Sequence, residues 1–113
     1  MSLDLDIDKY SSQDEIINVM LKMVHQKIKA QKKWGKAPMH PDTIDQGYEV
    51  VKHSHFDNKS TLMDILEGWK IGDFSNAVSD QNYFWGLQNG TGGKATSLLP
   101  VDEELSYIKS NFQ

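Results

Sequence analysis

At 113 residues the chain has room for one hydrophobic core, and none for a second domain with a cleft of its own. A composition of 38% hydrophobic and 25% charged residues is that of a globular protein and excludes wholesale disorder. The net charge is −4, all twelve basic residues are lysine, and arginine is absent; without the planar guanidinium fork, and with an acidic balance, nucleic acid is not an expected partner.

The lack of cysteine removes disulfides, zinc sites with thiolate ligands and thiol catalysis. No apolar run approaches the roughly 20 residues that span a bilayer. The opening "MSLDLDID" has neither the basic nor the apolar region of a signal peptide.

Residues 1–11 alternate acidic and apolar side chains and read as a flexible acidic arm ahead of a single helical domain over 12–113. Ser12 and Glu15 have the spacing of a capping box, in which the hydroxyl takes a backbone N–H and the glutamate reaches back. A long helix is expected to follow. Ile17, Leu21, Val24 and Ile28 recur at steps of three and four, Ile16, Met20 and Met23 broaden the stripe, and Lys22, Lys29 and Lys33 lie opposite. Trp34-Gly35 should end this helix, and Pro38 prevents its continuation.

A second helix is expected from Pro41, with Asp42 at its positive end and Ile44, Tyr48 and Val51 as its stripe. Gly47 weakens that helix or permits a neighbour to approach closely. The stretch "STLMDILEGWKIG" reads as a third helix burying Leu62, Ile65, Leu66 and Trp69 and closed by Gly72. Ser75 can cap a fourth, with Val78, Phe84, Trp85 and Leu87 apolar and Gly90 at its end. Pro100 and "VDEE" open a last helix carrying Leu105, Ile108 and Phe112. Sustained period-2 alternation is missing after the arm, so the expected fold is all-α: a compact bundle of about five helices without significant sheet.

The glycine-rich "NGTGGKAT", residues 89–96, resembles a phosphate loop but fails its requirements. A Walker loop needs G-x-x-x-x-G-K-[ST] after a strand; here Lys94 is followed by Ala95, and Gln88 stands where the first glycine belongs. It reads as a helix end at Gly90 and a connection, with an anion-binding nest at Lys94 as the other possibility.

Trp34-Gly35, Trp69, Gly72-Asp73-Phe74-Ser75, Asp80-x-Asn82, Trp85-x-Leu87-Gln88 and Gly90-Thr91-x-Gly93-Lys94-Ala95-Thr96 together resemble a family of small proteins from Gram-positive bacteria, known only as a domain of unknown function. The resemblance covers roughly residues 25–96. It implies an extracytoplasmic domain behind an amino-terminal membrane anchor or signal, with a cytoplasmic location as the alternative, and it brings no activity with it. His40 departs from the serine or threonine cap expected before Pro41, and Gln81 from a common histidine.

The resulting expectation is a non-enzymatic module that binds a protein or small ligand through Trp69, Asp73, Asp80, Trp85, Gln88 and Lys94, where aromatic surface meets polar groups. No cofactor is called for. The alternative is a metal-binding or metal-dependent hydrolytic protein using His53-x-His55, with His40 or Asp57 completing the shell; the competing explanation for those histidines is a favourable helix C-terminus. His25, at the edge of the first stripe, reads either as a boundary histidine or as a general base. Asp80 and Asn82 could hold a cation, but no EF-hand pattern surrounds them. Six lysines between residues 22 and 36, with no acid among them, could set the first helix on an anionic membrane surface.

Overall fold

A computed structural model describes residues 4–30, 35–88 and 95–112. Among them the chain forms five helices: α1 (Gln13–Val24), α2 (Pro41–Lys52), α3 (Lys59–Lys70), α4 (Ala77–Leu87) and α5 (Val101–Phe112). Two short strands, β1 (Ile28–Ala30) and β2 (Ala95–Leu98), pair antiparallel. The helical bundle expected from the sequence is the architecture found, with this small sheet added.

α1 begins at the expected cap, with half of the box formed: Ser12 Oγ accepts the Glu15 N–H at 3.1 Å, and Glu15 Oε1 accepts from the Ser12 hydroxyl at 3.3 Å. Its apolar stripe fills the centre of the core, with Ile16, Ile17, Met20, Met23 and Val24 at most 1% exposed. α2 and α3 pack against each other at Gly47, where an added Cβ would lie 3.4 Å from Leu66 Cδ2. That distance is at the edge of ordinary van der Waals contact, so a methyl there would touch the leucine without displacing backbone. His40 takes the capping role expected of serine or threonine. Its ring Nδ1 accepts the Asp42 N–H at 3.0 Å, and the Thr43 hydroxyl accepts the His40 N–H at 3.1 Å.

α1 does not reach Trp34-Gly35. It stops at Val24, passes through a 3-10 turn (His25–Lys27) and becomes extended at Ile28. Ile28 keeps the burial that its place in the stripe predicts, but as a strand residue opposite Leu98. A buried β-branched residue satisfies a helical and an extended pattern equally, and here strand pairing decides between them. Between Lys29 and Ala30 the register slips, leaving Thr96 as a bulge. The lysines therefore do not form one face of one helix: Lys22 is half-buried on α1, Lys29 is exposed on β1, and Lys33 and Trp34 lie outside the described residues. Among the described residues, no helix is long and apolar enough to cross a membrane.

The same ending places His25 at 1% exposure and Gln26 at 6%, inside the domain rather than at the edge of a stripe. At the amino-terminal arm, Leu5 and Ile7 pack against the core, and the Leu5 N–H donates to Gln46 Oε1 at 2.9 Å. α4 turns Ala77, Gln81 and Phe84 inward, whereas Leu87 is 38% exposed and Val78 and Trp85 are half-buried. Its N-cap is Asn76, not Ser75, and Gln88 is its C-cap. Gly90 and Lys94 lie outside the described residues, while Ala95 and Thr96 belong to β2.

Candidate functional site

The third and fourth helices meet through a turn that the sequence specifies closely. Gly72, at φ +78°, takes the left-handed conformation that ends α3. The Asp73 N–H donates to Gly68 O at 2.9 Å and the Gly72 N–H to Trp69 O at 3.0 Å, the nested pair of a Schellman end. Asp73 then folds over the next turn, its Oδ1 accepting the Ser75 hydroxyl at 2.6 Å and the Ser75 N–H at 3.1 Å. Ser75 is thus paired with Asp73, and α4 starts one residue later, at the N-cap Asn76.

This turn delivers Trp69, Asp73 and Asp80 to one place. The Trp69 ring is 2% exposed and meets Phe84 edge-on at 6.3 Å, and its indole N–H donates to Asp80 Oδ2 at 3.2 Å. A cleft of about 160 Å³ opens there, lined by Asp64, Ile65, Gly68, Trp69, Asp73, Asn76 and Asp80. On another side of the same indole, a cleft of about 220 Å³ is lined by Met39, Pro41, Ile44 and Phe74, with Lys27, Lys70 and Asp45 among its charged groups. Lys27 Nζ sits 2.7 Å from Glu104 Oε2 and 4.3 Å from the centre of the Phe74 ring; Lys70 Nζ lies 3.9 Å from the Tyr48 ring centre and 3.5 Å from Asp45 Oδ1. Trp69 is thus a wall common to a carboxylate-lined cleft and a largely apolar one.

The two expected carboxylates of the first cleft differ in chemistry. Burial pushes the Asp80 carboxyl above the ordinary 3.8; the indole hydrogen bond opposes this, and the nearby Asp73 charge adds to it. Asp73 is held below the ordinary value by the Ser75 hydroxyl and then by the Ser75 N–H. Because Asp80's pKa is raised on folding, its ionised form costs the folded state at neutral pH, and the cost disappears as pH falls through that raised value. Asp80→Asn keeps an oxygen to accept from the indole and removes the charge. It should therefore raise the thermal midpoint at pH 7, and this advantage should shrink to nothing in acid, where wild-type Asp80 is itself protonated. A thermal melt series from neutral to acidic pH checks this; an advantage independent of pH would show that charge is not the cause.

The remaining expected residues are scattered. Trp85 follows Asp80 by five positions, about 140° further round α4, and does not line the Trp69 clefts described above. Gln88 is half-buried at the C-cap of α4, and Lys94 lies outside the described residues. Asn82 is committed to structure: its side-chain amide donates to Ala95 O at 3.2 Å and accepts the Ala95 N–H at 2.8 Å, holding β2 to α4. Asp64, Asn76, Lys27, Lys70 and Phe74 were not among the site residues expected from the sequence. Asp64 was findable, because Asp64 and Gly68 are one turn apart on α3, beside Trp69.

The histidines stand apart. His53 caps the C-terminus of α2, exposed, with Nε2 3.4 Å from Glu49 Oε2, and His55 and Asp57 are exposed beyond it. Among the described residues, no group of three or more histidine, aspartate or glutamate side chains could hold a metal ion.

The fold and clefts define a small helical domain, closed by a two-stranded clasp, with a tryptophan wall between its third and fourth helices. The chain belongs to DUF6241, a family of unknown function whose model matches residues 20–109. No curated protein and no solved structure is significantly similar to it.

Proposed function

We propose that this domain is a binding module rather than an enzyme, and that it takes a protein segment or small ligand into the groove walled by Trp69. The observation that carries this reading is the single buried indole shared by two clefts of different character, one rich in carboxylates and one apolar with lysines at its edge. Rigid aromatic walls with a few oriented polar groups are what small binding sites are built from. Asp80, Asp73, Lys27 and Lys70 are each fixed by a hydrogen bond, an ion pair or a ring, so the groove is set before a ligand arrives. The core residues of the site are Trp69, Asp73 and Asp80, with Asp64, Asn76 and Phe74 added. The resemblance to Gram-positive proteins with an amino-terminal anchor supports a location outside the cytoplasm, where such a module would meet its ligand.

The test is a titration of ¹⁵N-labelled protein with cationic, anionic and apolar tripeptides, following backbone amide shifts. Binding should move amides of residues 64–80 in a saturable way, and Asp73→Asn or Phe74→Ala should weaken it. Saturable shifts centred on another surface would refute this site.

A further inference from the structure

α5 carries one apolar seam, and only the second half of it, Ile108 and Phe112, is turned partly toward the domain. At 100° per residue, Val101, Leu105, Ile108 and Phe112 fall within about 60° of one another, at successive steps of four, three and four. The covered side combines one aromatic with polar groups: Tyr107 is half-buried and meets the Phe112 ring edge-on at 6.1 Å. Glu104 Oε2 accepts from Gln26 Nε2 at 3.0 Å and pairs with Lys27, and the Asn111 backbone oxygen accepts from Lys36 Nζ at 2.8 Å. No residue of α5 is buried; Ile108 and Phe112 are half-covered, while Val101 and Leu105 stay 76% and 61% exposed. An amphipathic helix ordinarily gives its stripe to the core; here the row stays open at Val101 and Leu105 and half-open at Ile108 and Phe112, and a contiguous apolar row so exposed marks an association surface.

We propose that this seam joins a second copy of the chain, the two α5 helices packing antiparallel about a two-fold axis. The step pattern reads the same in both directions, so antiparallel pairing sets Val101 against the partner's Phe112 and Leu105 against the partner's Ile108. The solvent flank of the seam carries Asp102 and Lys109, both exposed. In the antiparallel arrangement Asp102 meets the partner's Lys109, and two-fold symmetry repeats the pair. A parallel pair would instead need Glu104 to reach the partner's Lys109, but Glu104 is already held by Gln26 and Lys27 of its own chain. Two helices of this length overlap for about 18 Å, which covers less than the roughly 1,200 Å² of a stable interface. The dimer is therefore a weak, reversible one.

Sedimentation velocity from about 20 µM to about 1 mM chain, the range suited to so small an interface, tests this. The protein should shift reversibly from monomer to dimer. Val101→Ser with Leu105→Ser, at positions already in solvent, should weaken association about tenfold or more without changing the thermal midpoint. Asp102→Lys alone places like charges opposite and should weaken association several-fold, and Asp102→Lys with Lys109→Asp should restore it. A monomer throughout the range overturns the proposal, as does a dimer indifferent to the serine pair. Failure of the double charge reversal to restore association overturns the antiparallel arrangement.

Discussion

Replacing Trp69 with alanine should lower the free energy of unfolding by about 3–5 kcal/mol, measured by urea denaturation followed by far-ultraviolet circular dichroism. Three contributions combine. The ring is 2% exposed and its removal leaves a void between α3 and α4, where the surrounding helices can collapse only in part. The edge-on contact with Phe84 at 6.3 Å is lost. Asp80, already raised by burial, also loses the one donor hydrogen bond seen to favour its charged form. Against a total stability of about 5–15 kcal/mol, this is enough to bring the domain near its unfolding threshold at ordinary temperatures. Trp69→Phe separates the contributions: it retains most of the packing and should cost about 1–2 kcal/mol, chiefly through the missing indole donor. A loss below 1 kcal/mol for the alanine variant would mean that the groove has no rigid wall at this position, and the proposed site would fall with it.

The elements legible in the sequence were those whose local signals agreed with their tertiary surroundings. α3 is such a case: its stripe, the closing Gly72 and the aspartate after it all point the same way, and the Schellman end forms as those residues require. Trp69, Asp73 and Asp80 came together for the same reason, since a fixed turn between two helices leaves little freedom in where they fall. The end of α1 was not legible. Nothing in "VHQKIKA" separates an amphipathic helix from a 3-10 turn leading into a strand, because Ile28 is buried in either. What decides is a partner nearly seventy positions later, Ala95–Leu98, and long-range pairing leaves little local trace. Lys27 and Lys70 escaped notice for a related reason. A lysine earns attention from its neighbours in space, here Phe74, Glu104, Tyr48 and Asp45, and those neighbours come from three separate segments.

Gln26 shows how much depends on that early helix end. Its side chain is 6% exposed and bridges two segments: Nε2 donates to Glu104 on α5 at 3.0 Å, and Oε1 accepts the Met39 N–H ahead of α2 at 3.2 Å. Had α1 continued, this amide would have been one more polar residue along a helix. Gln26→Leu fills nearly the same volume but satisfies neither partner, stranding the Met39 donor and leaving Glu104 to Lys27 alone. The expected cost is about 2–3 kcal/mol, in line with a partly buried donor losing its acceptor together with a hydrogen bond to a charged group. The loss should not be spread evenly. α5 has no fully buried residue, so this amide, Lys27 and the Lys36 contact near its far end carry much of its attachment beside the half-buried Tyr107, Ile108 and Phe112. Amide hydrogen exchange in Gln26→Leu should therefore accelerate across residues 101–112 well before it does so in α1 or α3, as an element with few buried contacts opens independently of the core. Gln26→Glu sharpens the comparison, since a second carboxylate facing Glu104 repels it while preserving an oxygen for the Met39 N–H. If exchange in α5 rises for the glutamate variant as well, the bond to Glu104 is what holds the helix; if only the leucine variant shows it, the Met39 bond is the controlling one.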